Sequence, residues 1–178
     1  MPTDRDLILA CQRQDRASQE ALYRRYWSFA MSVALRYART RDDALEVCHD
    51  AFLNAFRGIG AVDPERPFRP WFRRVLVRCA IDRHRSTRRH HATVASDPPE
   101  PAEAPGQSVA LEAQEILGLL AALPDTHRAV FNLHEIEGYS HDEIADLLGI
   151  APGTSRSHLA RAKRRLRSLY LSHIQALP

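Results

Sequence analysis

The chain has 178 residues, a hydrophobic fraction of 44% and a formal net charge of +3. This length allows one or two small domains with packed cores, and no stretch approaches the ~18 uninterrupted apolar residues of a membrane span. The chain starts with the polar segment MPTDRD and has three widely separated cysteines. We therefore expect a reduced, cytoplasmic protein with no signal peptide and no membrane insertion.

The small net charge conceals a strong separation of charge along the chain. Residues 1–92 contain 18 arginines and 11 acidic residues, whereas residues 93–107 contain three acids and no base. Residues 69–91 contain eight arginines and one acid, and residues 156–167 contain six basic residues and no acid. Two basic clusters far apart in sequence indicate two separate contacts with one polyanion.

The first half of the chain has helical periodicity, and no strand-like alternation persists in it. Thr3 is suited to cap a first short helix, and apolar spacing predicts two longer helices over about 17–39 and 40–57. The segment GIGAVDPERP, residues 58–67, has two glycines and two prolines and is predicted to be a loop. An arginine-rich helix is predicted to begin at Phe68.

Residues 92–107 have the composition of a flexible linker. They include four prolines and three acids, and Val94 is their only large apolar residue. Such a segment cannot bury a core. We therefore predict an all-α protein with two small helical domains, residues 1–91 and residues 108–178, joined by this linker.

The segment 138–167 has the features of a helix-turn-helix. Ser140 and Glu143 can form a capping box at the start of its first helix, and Gly149 can end that helix. Pro152 suits the first turn of a second helix. Periodicity gives this second helix an apolar stripe on one side and basic residues on another, which is typical of a helix that enters DNA.

These motifs, taken together and in this order, resemble the extracytoplasmic-function sigma factors of bacterial RNA polymerase, which belong to the sigma-70 family. Sigma domain 4 is similar to the segment ALPDTHRAVFNLHEIEGYSHDEIADLLGIAPGTSRSHLARAKRRLR. Sigma domain 2 is similar to the segments ALYRRY, DDALEVCHDAFLNAF and FRPWFRRVLVRCAIDRHR. The resemblance implies that residues 1–91 bind core polymerase and open the −10 element, and that residues 108–178 recognise the −35 element.

The resemblance also implies binding partners for the chain, and it assigns every bond-forming step to those partners. Core RNA polymerase would be bound through its β′ clamp helices and its β flap, and promoter DNA would be the second partner. Because no receiver or sensor segment is recognisable, we expect an anti-sigma protein as the regulator. No catalytic residue and no cofactor are expected.

The resemblance assigns roles to individual residues. The residues matching the polymerase-binding segment are Leu45, Glu46, Val47, His49 and Asp50. Candidates for recognising and melting the −10 element are Arg69, Trp71, Arg73, Arg74, Arg78, Asp82 and Arg85, although the spacing of Trp71 also suits a core residue. Candidates for contacting the −35 element are Ser155, Arg156, Ser157, His158, Arg161, Lys163, Arg164 and Arg167. Loop 58–67 matches the place where the family captures an unstacked base.

Two other classes of function are compatible with parts of this pattern. One is a sigma-like decoy that binds an anti-sigma protein without recognising DNA, and the two basic clusters argue against it. The other is a stand-alone helix-turn-helix regulator, in which the polymerase-binding segment would have no purpose. An enzyme is not expected, because no nucleophile motif or phosphate loop is present. No metal site is expected either, because the histidines and cysteines lack ligand spacing.

Overall fold

The computed structural model describes residues 2–93 and 111–175, and this part of the chain contains helices and turns but no strand. The helices are α1 (Asp4–Gln12), α2 (Arg16–Tyr37), α3 (Arg41–Gly58), α4 (Phe68–Thr93), α5 (Leu111–Ala121), α6 (Asp125–Phe131), α7 (His141–Leu148) and α8 (Pro152–Gln175). A 3₁₀ turn (Ile59–Ala61) follows α3, and a π-helical turn (Asn132–Ile136) continues α6. The predicted all-α fold is confirmed. None of the described helices combines the length and apolar character needed to cross a membrane.

Local capping signals define several helix ends as predicted. Thr3 forms a capping box with Asp6 at the start of α1, and Ser140 forms one with Glu143 at the start of α7. Gly149 ends α7 with a φ of 64°, in the left-handed region that costs glycine no Cβ strain. Helix α4 extends to Thr93, into the predicted linker, whose remaining residues lie outside the described part of the chain.

The chain divides into two compact units by Cα proximity. The first comprises Met1–Ala34 and Asp42–Ala80, and the second comprises Leu35–Arg41 and Ile81–Pro178. The predicted boundaries at 91 and 108 follow from the composition of the linker alone. The structural grouping adds a feature that this composition does not address, because it places residues 35–41, at the end of α2, with the C-terminal helices.

The first unit is organised around an aromatic core. Phe68 and Phe72 of α4 are buried, with ring centroids 5.4 Å apart. Tyr26 of α2 lies 4.9 Å from Phe68, and Phe52 of α3 lies 4.8 Å from Phe72. Each such ring pair contributes about 0.5–1.5 kcal/mol beyond its buried area. The Tyr26 hydroxyl also donates a hydrogen bond to the Asp4 carboxylate, which ties α1 to α2.

The second unit contains the core of the helix-turn-helix. Leu120 and Leu123 of α5 and its following turn pack with Ala162 of α8, and Phe131 and Leu166 cover this cluster. The buried residues that complete the core are Val130, Leu133, Ile144, Ala145, Leu148 and Leu159. Helix α8 is therefore held along one side only.

A buried polar network lies in the second unit around Arg128, which is 2% exposed. Its Nε donates to the Tyr37 carbonyl at 3.0 Å, its Nη1 to the Ala121 carbonyl at 3.2 Å, and its Nη2 to Asp125 at 2.7 Å. The Asn132 amide donates to the Arg36 carbonyl at 2.7 Å. The last carbonyls of a helix have no partner within it, so Arg128 and Asn132 supply the missing donors at the end of α2. These bonds explain why residues 35–41 group with the C-terminal helices.

We expect Arg128→Met to lower the free energy of unfolding by about 2–4 kcal/mol, because buried carbonyls would lose their charged donor. The matched control is Arg24→Met, which removes an arginine whose ion pair with Glu20 is exposed on α2. The control should change stability by less than about 0.5 kcal/mol. Urea unfolding followed by circular dichroism measures both, and equal effects would contradict the role given to Arg128.

Candidate nucleic-acid and protein interfaces

Helix α8 presents a continuous basic surface. The residues of the predicted −35 group that are exposed on it are Arg156, Ser157, Arg161, Lys163, Arg164 and Arg167. Helical spacing places Arg156, Lys163 and Arg167 on one line along the helix. A neighbouring side of α8, roughly a quarter turn around the helix from this line, is occupied by buried Leu159 and Ala162. The packing of the core thus determines which side of α8 is available to a polyanion.

The structure corrects the prediction that Ser155 faces DNA. Ser155 is buried, with 0% exposure, and its Oγ lies 2.9 Å from Nδ1 of His141. A side chain without exposed surface cannot reach a base edge in this conformation. Its hydrogen bond instead joins the first turn of α8 to the first residue of α7, so Ser155 helps to fix the angle of the helix-turn-helix.

His158 is half-buried rather than fully exposed. Its ring packs against that of His127 on α6, with centroids 4.9 Å apart. Burial, and then the charge of Arg161, lowers the pKa of His127. Because His158 packs closely on α6, we interpret it primarily as a residue that joins α8 to α6.

A polar cluster lies beside the basic surface of α8, and we call it the Glu135 cluster (His134, Glu135, His141 and Lys163). Lys163 Nζ lies 2.9 Å from Glu135 Oε1, and His134 Nδ1 lies 2.8 Å from the same oxygen. The rings of His134 and His141 stack with centroids 4.5 Å apart. The hydrogen bond from Lys163, followed by that from His134, lowers the pKa of Glu135. Sequence reasoning identified Lys163 but gave no sign of its partner.

The predicted −10 residues on α4 fall into two groups. Arg74, Arg78, Asp82 and Arg85 are exposed, and their spacing places them along one side of the helix. Arg73 is half-buried on another side. The first group is therefore the part of α4 best placed to meet a phosphate backbone.

Arg69 and Trp71 are held by aromatic contacts at the start of α4. The Arg69 guanidinium lies 4.4 Å from the centroid of the Phe29 ring, a cation–π geometry. Trp71 is half-buried, and its ring lies 5.4 Å from that of Phe68. A Cβ placed on Gly58 would be 3.7 Å from the Trp71 ring, so the start of loop 58–67 packs on this indole. These ring contacts agree with the packing role that the spacing of Trp71 favours.

Loop 58–67 is braced from α1 by a residue that sequence reasoning missed. The Gln12 amide donates to the Ile59 carbonyl at 3.1 Å and to the Val62 carbonyl at 2.9 Å. The side chains of Ile59 and Val62 are themselves buried. Arg5 of α1 also pairs with Glu65 at 2.5 Å, but on the surface. Helix α1 therefore holds the loop in two ways, through the shielded hydrogen bonds of Gln12 and through the exposed ion pair of Arg5.

Helix α3 presents a surface that differs in part from the predicted polymerase-binding segment. Glu46, His49 and Asp50 are exposed as that role requires, and Leu45 is half-buried. Val47 is only 2% exposed, so its predicted place on this surface is wrong, because it packs in the core.

Leu53 completes the exposed surface of α3 and was not predicted. It is 54% exposed, one turn beyond His49 and Asp50 on the same side of the helix. This side of α3 therefore combines one apolar residue with surrounding polar ones, the combination that the core and rim of a protein interface require. The sequence did contain a signal for this position. Leu53 follows Glu46 by seven residues, so the two lie on the same side of the helix.

The cysteines and histidines form no metal site in the described residues. Cys11, Cys48 and Cys79 are buried thiols that form no disulfide within this part of the chain, and burial raises the pKa of Cys48 to about 12. Thiols in such surroundings are poor nucleophiles. Within the described part of the chain, no three His, Cys, Asp or Glu side chains are grouped as metal ligands.

Two family models match the chain, namely Sigma-70 region 2 over residues 22–90 and Sigma-70, region 4 over residues 113–166. The ECF RNA polymerase sigma factor SigM of Mycobacterium tuberculosis is 32% identical over 168 residues, which cover 94% of this chain and 84% of SigM. SigL of the same species is 33% identical over 155 residues, which cover 85% of this chain and 88% of SigL.

A solved structure has the same fold. The sigma factor RpoE of Bartonella quintana, in complex with the anti-sigma factor NepR, aligns with a TM-score of 0.55 at 20% identity. The alignment covers 85% of this chain and 95% of that one. The exposed arginines of α4, and the exposed basic residues of α8 up to Arg165, fall within the regions matched by the family models.

We expect Gln12→Leu to loosen loop 58–67, because two buried carbonyls would lose their donor. Hydrogen exchange at the Val62 and Arg66 amides should become about tenfold faster or more, while exchange in α8 stays unchanged. Arg5→Ala removes the other contact from α1 to this loop, which is exposed, and should change exchange by less than about twofold. Equal protection in both variants would show that Gln12 does not brace the loop.

Proposed function

The chain belongs to the extracytoplasmic-function sigma factors of the sigma-70 family, which bind core RNA polymerase and direct promoter-specific transcription initiation, and we propose how its own surfaces divide that task. As a sigma factor it recognises the −35 and −10 elements. We assign bond formation to the polymerase alone, and recognition and strand opening to this chain. The observation that supports this assignment best is the basic side of α8, which the core of the helix-turn-helix leaves free.

The −35 element is assigned to α8. Arg156 lies in its first turn, where recognition helices place their base contacts, so we assign it to a base edge. Lys163 lies two turns further on, where the helix leaves the groove, so we assign it to a phosphate. The other exposed residues proposed for this contact are Ser157, Arg161, Arg164 and Arg167. We exclude Ser155 from direct contact because it is buried.

The −10 element is assigned to the first unit and to the continuation of α4. Arg74, Arg78 and Arg85 are exposed along one side of α4 and are proposed to neutralise the backbone of the melted strand. Asp82 lies among them, and its negative charge would limit the non-specific attraction of DNA to this side of α4. Loop 58–67 is proposed to receive an unstacked base, since a braced loop beside an indole can replace lost stacking energy. Trp71, Arg69 and Arg73 would support that loop from α4.

The exposed side of α3 is assigned to the β′ clamp helices of the polymerase. Leu53 would form the apolar centre of the contact, and Glu46, His49 and Asp50 would form its polar rim, an arrangement common in protein interfaces. Leu45 would pack at its edge.

The β flap is assigned to the second unit, whose exposed apolar residues include Ile116, Tyr170 and Leu171. An anti-sigma protein is proposed as a further partner. The resemblance of the chain to a sigma factor solved with its anti-sigma factor supports this proposal.

The assignment of α3 predicts that Asp50→Arg weakens binding to core polymerase at least tenfold, because it reverses a charge at the rim of the contact. Glu20→Arg reverses a charge at an exposed site on α2 and is the matched control, with an expected change below about threefold. Binding to labelled core polymerase is measured by fluorescence anisotropy, with helicity checked by circular dichroism. Tight binding by Asp50→Arg would place the docking surface elsewhere.

The assignment of α8 predicts two separable defects. Arg156→Ala should cost ~1–3 kcal/mol and relax preference at one position of the −35 element, because a base contact is lost. Lys163→Ala should weaken binding to all sequences alike and reduce the salt-dependence slope by roughly one, because a phosphate contact is lost. Promoter binding by the holoenzyme is measured over a salt series, with intact and scrambled −35 elements.

The control for these two variants is Arg24→Ala, which removes an exposed arginine of α2 whose ion pair with Glu20 lies on the surface. It should leave both the base preference and the slope unchanged. If all three variants behave like the parent, α8 does not touch DNA. If the parent chain and core polymerase together start transcription at no promoter, that result would favour the alternative of a sigma-like decoy that binds an anti-sigma protein.

A further inference from the structure

Two nitrogen donors from different elements converge on one oxygen in the Glu135 cluster. Lys163 Nζ of α8 lies 2.9 Å from Glu135 Oε1, and His134 Nδ1 of the π-helical turn lies 2.8 Å from the same atom. A carboxylate oxygen only accepts hydrogen bonds, so His134 must donate from Nδ1. The side chains of Lys163, Glu135 and His134 are 52%, 32% and 34% exposed, so solvent and ligands can reach the cluster.

The elements that carry both donors are held in place without the help of Glu135. The His134 ring stacks on that of His141, and His141 is anchored by its hydrogen bond to buried Ser155. Lys163 projects from α8, whose position is fixed by Ala162 in the core. The fold therefore brings the two donors to one place, and Glu135 is the anionic group that they bind there.

The same arrangement suits a phosphodiester oxygen. Phosphate contacts in protein–DNA complexes come from Lys, Arg and other N–H donors, and a charged donor shortens and strengthens them. Lys163 lies on the line of basic residues that also contains Arg156 and Arg167. The remaining charged groups around the cluster, Arg156 and Asp142, change the local field but do not bond to this oxygen.

We propose that Glu135 is an internal stand-in for a DNA phosphate, and that the need to displace it weakens the binding of α8 to DNA of any sequence. This inference rests on the proposed contact between α8 and promoter DNA. When DNA arrives, Glu135 turns towards solvent, and one phosphodiester oxygen takes its place between Lys163 and His134. Any DNA must first displace the carboxylate and then approach its negative charge.

The consequence is weaker binding to every DNA sequence, because the same displacement precedes each phosphate contact at this point. The free energy of displacing Glu135 is common to any two DNA sequences, so it cancels when their affinities are compared. Glu135 therefore lowers the sequence-independent binding that phosphate contacts supply.

The test uses the full chain bound to core polymerase, with Glu135→Gln and Glu135→Ala as variants. Each is titrated over a salt series with promoter DNA carrying an intact or a scrambled −35 element. Affinity for both DNAs should rise about tenfold, because no carboxylate has to be displaced, and the ratio between the two DNAs should stay unchanged. The salt-dependence slope should change by less than about half a unit, because Lys163 meets one phosphate in the parent and in the variants.

The matched control is Asp146→Asn, which removes one acid from an exposed position on α7, outside the cluster. It should raise affinity for both DNAs by less than about twofold and leave the slope unchanged. In the Lys163→Ala background, Glu135→Gln should no longer raise affinity beyond the change given by Asp146→Asn, since the two side chains act as one pair.

The proposal is wrong if both Glu135 variants match Asp146→Asn in affinity. That result can be separated from a failure of the α8 assignment by Lys163→Ala alone. If Lys163→Ala reduces the slope but the Glu135 variants match the control, α8 binds DNA and only the stand-in role fails. If Lys163→Ala also leaves the slope unchanged, the proposed −35 contact itself is wrong, and this inference fails with it.

Discussion

The function of this chain depends on one packing constraint, namely that α8 is buried along a narrow stripe and free on the rest of its circumference. Ala162 lies at the centre of that stripe, against Leu120 and Leu123, where its small side chain allows the helices to approach closely. Long basic side chains can then occupy the remaining circumference without entering the core. A larger residue at 162 would push α8 outward and change the direction in which every basic group points.

The ends of α7 and α8 were predictable because their signals are local. A capping box needs residues three positions apart, and the left-handed end of α7 needs only a glycine, so both can be recognised in a few letters of sequence. The burial of Ser155 could not be recognised in this way. It depends on His141, which is 14 residues away and meets Ser155 only after the two helices have packed.

Helix α3 shows a second limit of pattern reasoning. Its buried side includes Ala44, Ala51 and Ala55 in addition to Val47 and Phe52. A pattern based on large apolar residues gives these alanines no weight, and it therefore does not show which way Val47 faces. Counting the alanines turns Val47 inward and Leu53 outward, which produces the corrected docking surface.

The composition of the linker predicts a domain boundary, but it gives no sign that Arg128 and Asn132 complete the end of α2.

The charge distribution of the second half of the chain has a physical logic of its own. Residues 108–178 contain seven basic and eight acidic residues, yet six of the bases lie between positions 156 and 167. The acids Glu135, Asp142, Glu143 and Asp146 lie on the π-helical turn and α7, beside the basic helix. A polyanion is thus attracted to one side of this unit and repelled by its neighbour, which orients the approach of DNA before any base is contacted. A uniformly basic unit would bind DNA more tightly but in many orientations, and a subunit that must find one promoter among many competing sites gains more from orientation than from affinity.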